Sequence, residues 1–140
     1  MSRVINPDSA GKERKYLTRA VVLALRELML QPEPNEKSKD LAAFISIALK
    51  AIFDTVDQSV AAWEKRGYWI KADRFRMEWD WALKTSEAMR NAVLKDDWGG
   101  VAENAAITAQ KLMNTQVPVR HRLGTPWVGS WKKLVEEQQD

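Results

Sequence analysis

Gly67 is the one glycine between positions 12 and 98, and it separates two long stretches that each keep a helical period. Before it, Leu41, Ile45, Ala48, Leu49, Ile52, Val56, Val60 and Trp63 recur at three- and four-residue spacings for more than six turns. After it, Ala72, Phe75, Trp79, Ala82, Ser86, Met89 and Val93 form the seam that an antiparallel neighbour requires. Glycine reaches the left-handed conformation that closes a helix C-terminus, so a tight reversal belongs at Gly67. The spacing predicts a helical hairpin over about 38–96, with the first helix running to Arg66 and the second from about Tyr68 to Lys95.

The second of these helices has two oily sides. Ile70, Met77, Trp81 and Ala88 recur at seven, four and seven, and at 100° per residue they centre roughly opposite the inner seam. One hairpin mate cannot cover both faces. Either the chain's own tail or another chain must lie over the outer stripe. Between the faces, Arg76 falls three or four residues from Asp73 and Asp80, and Arg90 three from Glu87, which are local helix pairs of a few tenths of a kcal/mol each.

Punctuation divides the rest of the chain. Asp8 or Ser9 offers an N-cap for a first helix reaching about Leu30, with Leu17, Val21, Ala24, Leu25 and Leu28 as its inner stripe. Its second half, Ala20 to Leu30, is apolar nearly all round and reads as buried from several directions. Pro32 and Pro34 end it, since each lacks an N–H and disfavours helical geometry in the preceding residue. Ser38 or Asp40 can cap the next helix. Asp96, Asp97, Gly99 and Gly100 break the pattern before a fourth helix from about Val101 to Thr115, whose packed face is read as Ala102, Ala105, Ala109, Leu112 and Met113. After Val117-Pro118, Thr125-Pro126 predicts the start of a short terminal helix with Trp127, Val128, Trp131, Leu134 and Val135 on one face. Gly129 inside it would cost ~1 kcal/mol, so this helix depends on docking. The expected architecture is all-α: a four-helix bundle-like domain over 1–140, with a flexible arm at 1–8 and an irregular segment plus short docked helix at 119–140.

Composition narrows the chemistry. A hydrophobic content of 45% suits one domain with a real core, and a net charge of +3 permits an anionic partner without demanding one. There are no cysteines, so disulfides, thiolate nucleophiles and thiolate metal sites are excluded. His121 is the single histidine, which leaves no second imidazole for a zinc or di-iron site. Gly99-Gly100 lacks the Gly-Lys-Ser/Thr of a phosphate loop, and Gly129-Ser130-Trp131 is not a nucleophile elbow. The longest apolar run, Ala20 to Leu25, is far short of the ~20 residues of a membrane span, and no signal peptide is recognisable. The expectation is a cytoplasmic, non-catalytic chain with no cofactor, no metal and no membrane association.

Two sets of residues carry functional readings. Lys12, Lys15, Arg19 and Arg26 share a sector of the first helix, the first three being the candidate contacts, and Arg120-His121-Arg122 stands beside Trp127, so both sets resemble contacts to a nucleic-acid backbone. The plainer alternative has the loop arginines pairing with Asp54, Asp57 or Asp73. Seven tryptophans are a high count, and tryptophan concentrates where binding energy does. The leading expectation is an interaction or scaffold subunit, self-associating or joined to another chain through Ile70, Met77, Trp81 and Ala88, with Trp127 and Trp131 as further contact residues. The alternative is an accessory subunit that binds RNA or DNA through the basic set.

Overall fold

The computed structural model describes residues 7–139, which form five helices and no strands: α1 (Pro7–Met29), α2 (Glu36–Lys65), α3 (Trp69–Leu94), α4 (Trp98–Lys111) and α5 (Ser130–Gln139). The architecture is an all-α bundle built around the predicted hairpin, with α2 packing most extensively on α3 and on α1. The arm expected over 1–8 lies mostly outside the described residues, and Pro7 and Asp8 are already helical, so neither Asp8 nor Ser9 is the cap of α1.

Gly67 adopts φ +81°, the left-handed geometry that the reversal demands. From it α2 and α3 run back along each other, burying Leu41, Ile45, Leu49, Ile52, Val56 and Val60 against Ala72, Ala82, Met89 and Val93. Each fully buried Leu, Ile or Val contributes roughly 1.5–3 kcal/mol, so this seam is the main source of stability. At its centre the helices come close over two serines. Ser46 Oγ donates to the Ser86 carbonyl at 2.9 Å, and Ser86 Oγ donates to the Ser46 carbonyl at 2.7 Å.

Helix α2 begins before either cap expected for it. The Asn35 side chain accepts from the Ser38 N–H at 2.9 Å while Ser38 Oγ accepts from the Asn35 N–H at 3.2 Å, a reciprocal capping box that makes Glu36 the first helical residue. Asp40 caps a different helix instead. Its carboxylate accepts from the Trp131 N–H at 2.9 Å and the Gly129 N–H at 3.4 Å, so the start of α5 is tied to the first turns of α2. The predicted start at Thr125-Pro126 is corrected accordingly: 125–129 is a turn, Gly129 has φ +85°, and α5 opens at Ser130. A left-handed Gly129 cannot lie inside a helix, so the interior penalty does not arise. Substituting Asp40 with alanine is expected to cost about 0.5–2 kcal/mol, the range for a lost helix cap, measured as a shift in the urea midpoint.

Arg14 joins α1 to the hairpin. Its guanidinium donates to Thr55 Oγ1 at 3.2 Å and Ser59 Oγ at 3.3 Å, and lies 4.7 Å from the centroid of the Phe75 ring. Burial lowers the Arg14 pKa below its ordinary value, with the negative charge of Glu78 acting in the opposite direction.

Helix α4 differs most from expectation. It opens at Trp98, where Asp97 accepts from the Gly100 N–H at 3.0 Å, so Gly99 and Gly100 sit in its first turn rather than before it. It packs on α3, with little contact to α1, through Val101, Thr108 and Leu112. Ala102 and Ala109 are exposed, Ala105 is half-buried and Met113 is 74% exposed. The packed face thus lies about 70° round from the alanine row, with Leu112, as expected, part of it, because Val101, Leu112 and Trp98 remove more apolar surface from water than methyl groups do. The end of α1 is open for the same reason: Met29 and Leu30 are 79% and 68% exposed, against the expectation that Ala20 to Leu30 is enclosed throughout.

Candidate protein interface

The outer stripe of α3 is not covered by the tail. Helix α5 packs on α2, with Trp127 and Leu134 buried in the main core and Trp131 half-buried beneath the Lys39 ammonium, 5.5 Å from its ring. Trp127 and Trp131, expected as contact residues, therefore serve the docking of the terminal segment. Ile70 and Met77, two turns apart on one helix face, are 71% and 78% exposed, and Ala88 is exposed about three turns further on.

Trp81 does not stand with them. It is half-buried, packs against the main core, and its ring stacks on Trp79 with centroids 6.0 Å apart and planes at 25°. Long side chains on a helix lean back over the preceding turn, which carries the Trp81 indole away from the stripe that its Cα position assigns it to. Trp79 in turn meets Phe75 at 6.4 Å, and Phe75 meets Trp63 edge-on at 5.0 Å. These four aromatics form a ladder along the hairpin, capped at one end by Lys71 over Trp63 at 4.5 Å. The Trp79 indole N–H is buried within it and has no acceptor.

At the hairpin tip the exposed apolar surface widens. Tyr68 and Trp69 are 53% and 60% exposed and adjoin Ile70, so three large side chains in succession face outward beside Gly67. The helical period put neither Tyr68 nor Trp69 on the stripe, because Tyr68 is the N-cap of α3 and Trp69, its first residue, stands about 100° round from Ile70. Lys65, Arg66, Lys71 and Arg74 surround them, all exposed and none in an ion pair among the described residues. The nearby acids are partly engaged: Arg76 reaches Glu64 at 3.4 Å across the hairpin and Asp73 at 3.6 Å, and Asp80 pairs with Lys84 at 3.4 Å. The expected pairings of Asp80 with Arg76 and Glu87 with Arg90 are absent.

The basic residues expected to contact nucleic acid fall into two groups. Lys12 and Lys15 are exposed and Arg19 half-buried along α1. The loop carrying Arg120, His121 and Arg122 is anchored instead near the other end of that helix, where Arg26 Nη2 donates to the Val117 carbonyl at 2.8 Å. Along α1 that anchor lies about 16 Å from Lys15. Within the loop, His121 Nδ1 accepts from the Leu123 N–H at 3.2 Å, which places the proton of a neutral imidazole on Nε2. The loop arginines pair with none of the aspartates proposed for them; Asp54 holds Lys50 at 2.7 Å and Asp73 holds Arg76.

Among the described residues there is no cluster of three or more His, Asp or Glu side chains placed to hold a metal, and no helix is long and apolar enough to cross a membrane. No protein-family model, curated protein or solved structure is significantly similar to the chain.

Proposed function

We propose that this protein is a non-catalytic helical interaction subunit that joins a second copy of itself, or another chain in a larger complex, through the outer face of α3 and the adjoining hairpin tip. The observation that carries the reading is that Ile70 and Met77, at 71% and 78% exposure, stay open while the terminal helix α5 packs on α2. Isolated surface hydrophobics are ordinary, but large apolar side chains gathered on one face and continued by Tyr68 and Trp69 mark a contact surface. Four unpaired cations rim that surface, so the complementary face carries carboxylates at its edge.

Exchanging Ile70 and Met77 together for glutamate tests this. Both side chains already face water, so helicity and the urea midpoint are expected to stay within about 0.5 kcal/mol of the parent. Association, followed by light scattering across a concentration series and by capture from native extract, is expected to be lost. A parent chain that remains monomeric at every concentration and retains no other chain would remove the proposal.

A further inference from the structure

We propose that the cleft between α1 and α4 is a binding site for a small amphiphile with an apolar body and one amine group, a medium-chain alkylamine being the simplest member of the class. The site is independent of how the outer face of α3 is covered.

The cleft arises because α4 leans on α3 and turns its alanine row toward α1 while making little contact with it. It encloses about 590 Å³, inside the range of roughly 300–1,000 Å³ typical of small-molecule sites. Its two helical walls are apolar apart from the Trp98 indole N–H, which donates to Asp96 at 2.7 Å. Leu25, Leu28 and Met29 stand on one side, and Trp98, Val101 and the alanines of α4 on the other. The third wall is the linker between α1 and α2, and the other polar side chains of the lining are found there or at the first turn beyond it: Gln31, Glu33 and Ser38.

Two of these three already have hydrogen-bond partners. The Gln31 amide donates to the Glu27 carbonyl at 3.1 Å and accepts from Asn35 Nδ2 at 3.1 Å. Ser38 Oγ is held in the capping box by Asn35. Only the Glu33 carboxylate has neither an ion pair nor a side-chain hydrogen bond among the described residues. Held between Pro32 and Pro34, whose rings fix φ, it stands on a stiff segment at the mouth. An ionised carboxylate is an acceptor with negative charge, so the complementary group is a donor with positive charge. An occupant with an anionic head would meet Glu33 with repulsion, and no cationic side chain lines the cleft to offset it. Affinity comes chiefly from the apolar body, and the amine fixes its direction, because a pair at an exposed rim is weak.

The test uses the whole chain labelled with ¹³C at alanine methyls and titrated with decylamine, decanol and decanoate, each below its micelle concentration. Saturable shifts are expected at Ala102, Ala105, Ala106 and Ala109, with decylamine binding tightest and decanoate weakest. Ala106→Phe, at an exposed position that leaves the core intact, is expected to weaken decylamine roughly tenfold or more by filling the cleft. Glu33→Gln should weaken decylamine about two- to five-fold and leave decanol unchanged. The proposal is overturned if no saturable shift occurs at these methyls, if shifts appear equally at Ala88 on α3, if decanoate binds as well as decylamine, or if Ala106→Phe binds like the parent. It is overturned equally if the same methyls move with protein concentration alone, which would make a second copy the occupant.

Discussion

Replacing Trp127 with alanine is expected to remove about 3–5 kcal/mol of stability, the cost of deleting a large aromatic from a packed interior. The side chain is 5% exposed and belongs to the main core cluster, although it lies in an irregular segment before a ten-residue helix. Without it α5 retains Leu134, the lysine over Trp131 and the Asp40 cap, none of which fills the volume that the indole leaves. The outcome should be a lowered urea midpoint together with fast exchange of the α5 amides while the hairpin amides stay protected. An unchanged midpoint would mean that Trp127 is a surface residue of the free chain, as a direct interface role for it requires.

Ser86→Leu is expected to be similarly damaging by an opposite route. Ser46 and Ser86 meet where the backbones of α2 and α3 come close, each hydroxyl donating to the other helix's carbonyl, and both side chains are buried. A leucine there overfills the crossing, at about 1–3 kcal/mol, and removes one of the two hydroxyls for a further ~1 kcal/mol. Ser86→Ala separates the terms, since it loses the hydrogen bond without adding volume and should cost only about 0.5–1.5 kcal/mol. If leucine and alanine cost the same in chemical denaturation, the helices are not closely packed at this point.

The hairpin was legible in the sequence because its two signals reinforce each other: a long unbroken helical period on either side, and a lone glycine where the chain must turn. The uncovered stripe was legible for Ile70 and Met77, whose side chains project near the direction of their Cα atoms. It misled for Trp81, where a long indole leans onto Trp79. The packed face of α4 was legible at Leu112 but misjudged elsewhere, because alanines score as apolar while offering little surface to bury, whereas Val101 and the half-buried Trp98 offer more. The start of α5 was misplaced because Thr125-Pro126 has the residue types of a helix start, yet the true cap, Asp40, lies far off in the chain and is supplied by another helix. The anchor of the basic loop was hidden for a similar reason, since Arg26 binds a backbone carbonyl and a carbonyl has no sequence signature.

Apolar seams hold helices together without saying how far along one another they must sit, because burial is non-directional and a slip by one turn preserves much of it. Arg14 supplies what the seams lack. Its guanidinium engages two hydroxyls one turn apart on α2 and a ring face on α3, and sliding α1 by a turn in either direction would cost a half-buried cation at least one of those hydroxyls and its seat on the ring. That one side chain acts as a detent, fixing the longitudinal alignment of three helices and, through it, the height at which the end of α1 stands opposite α4.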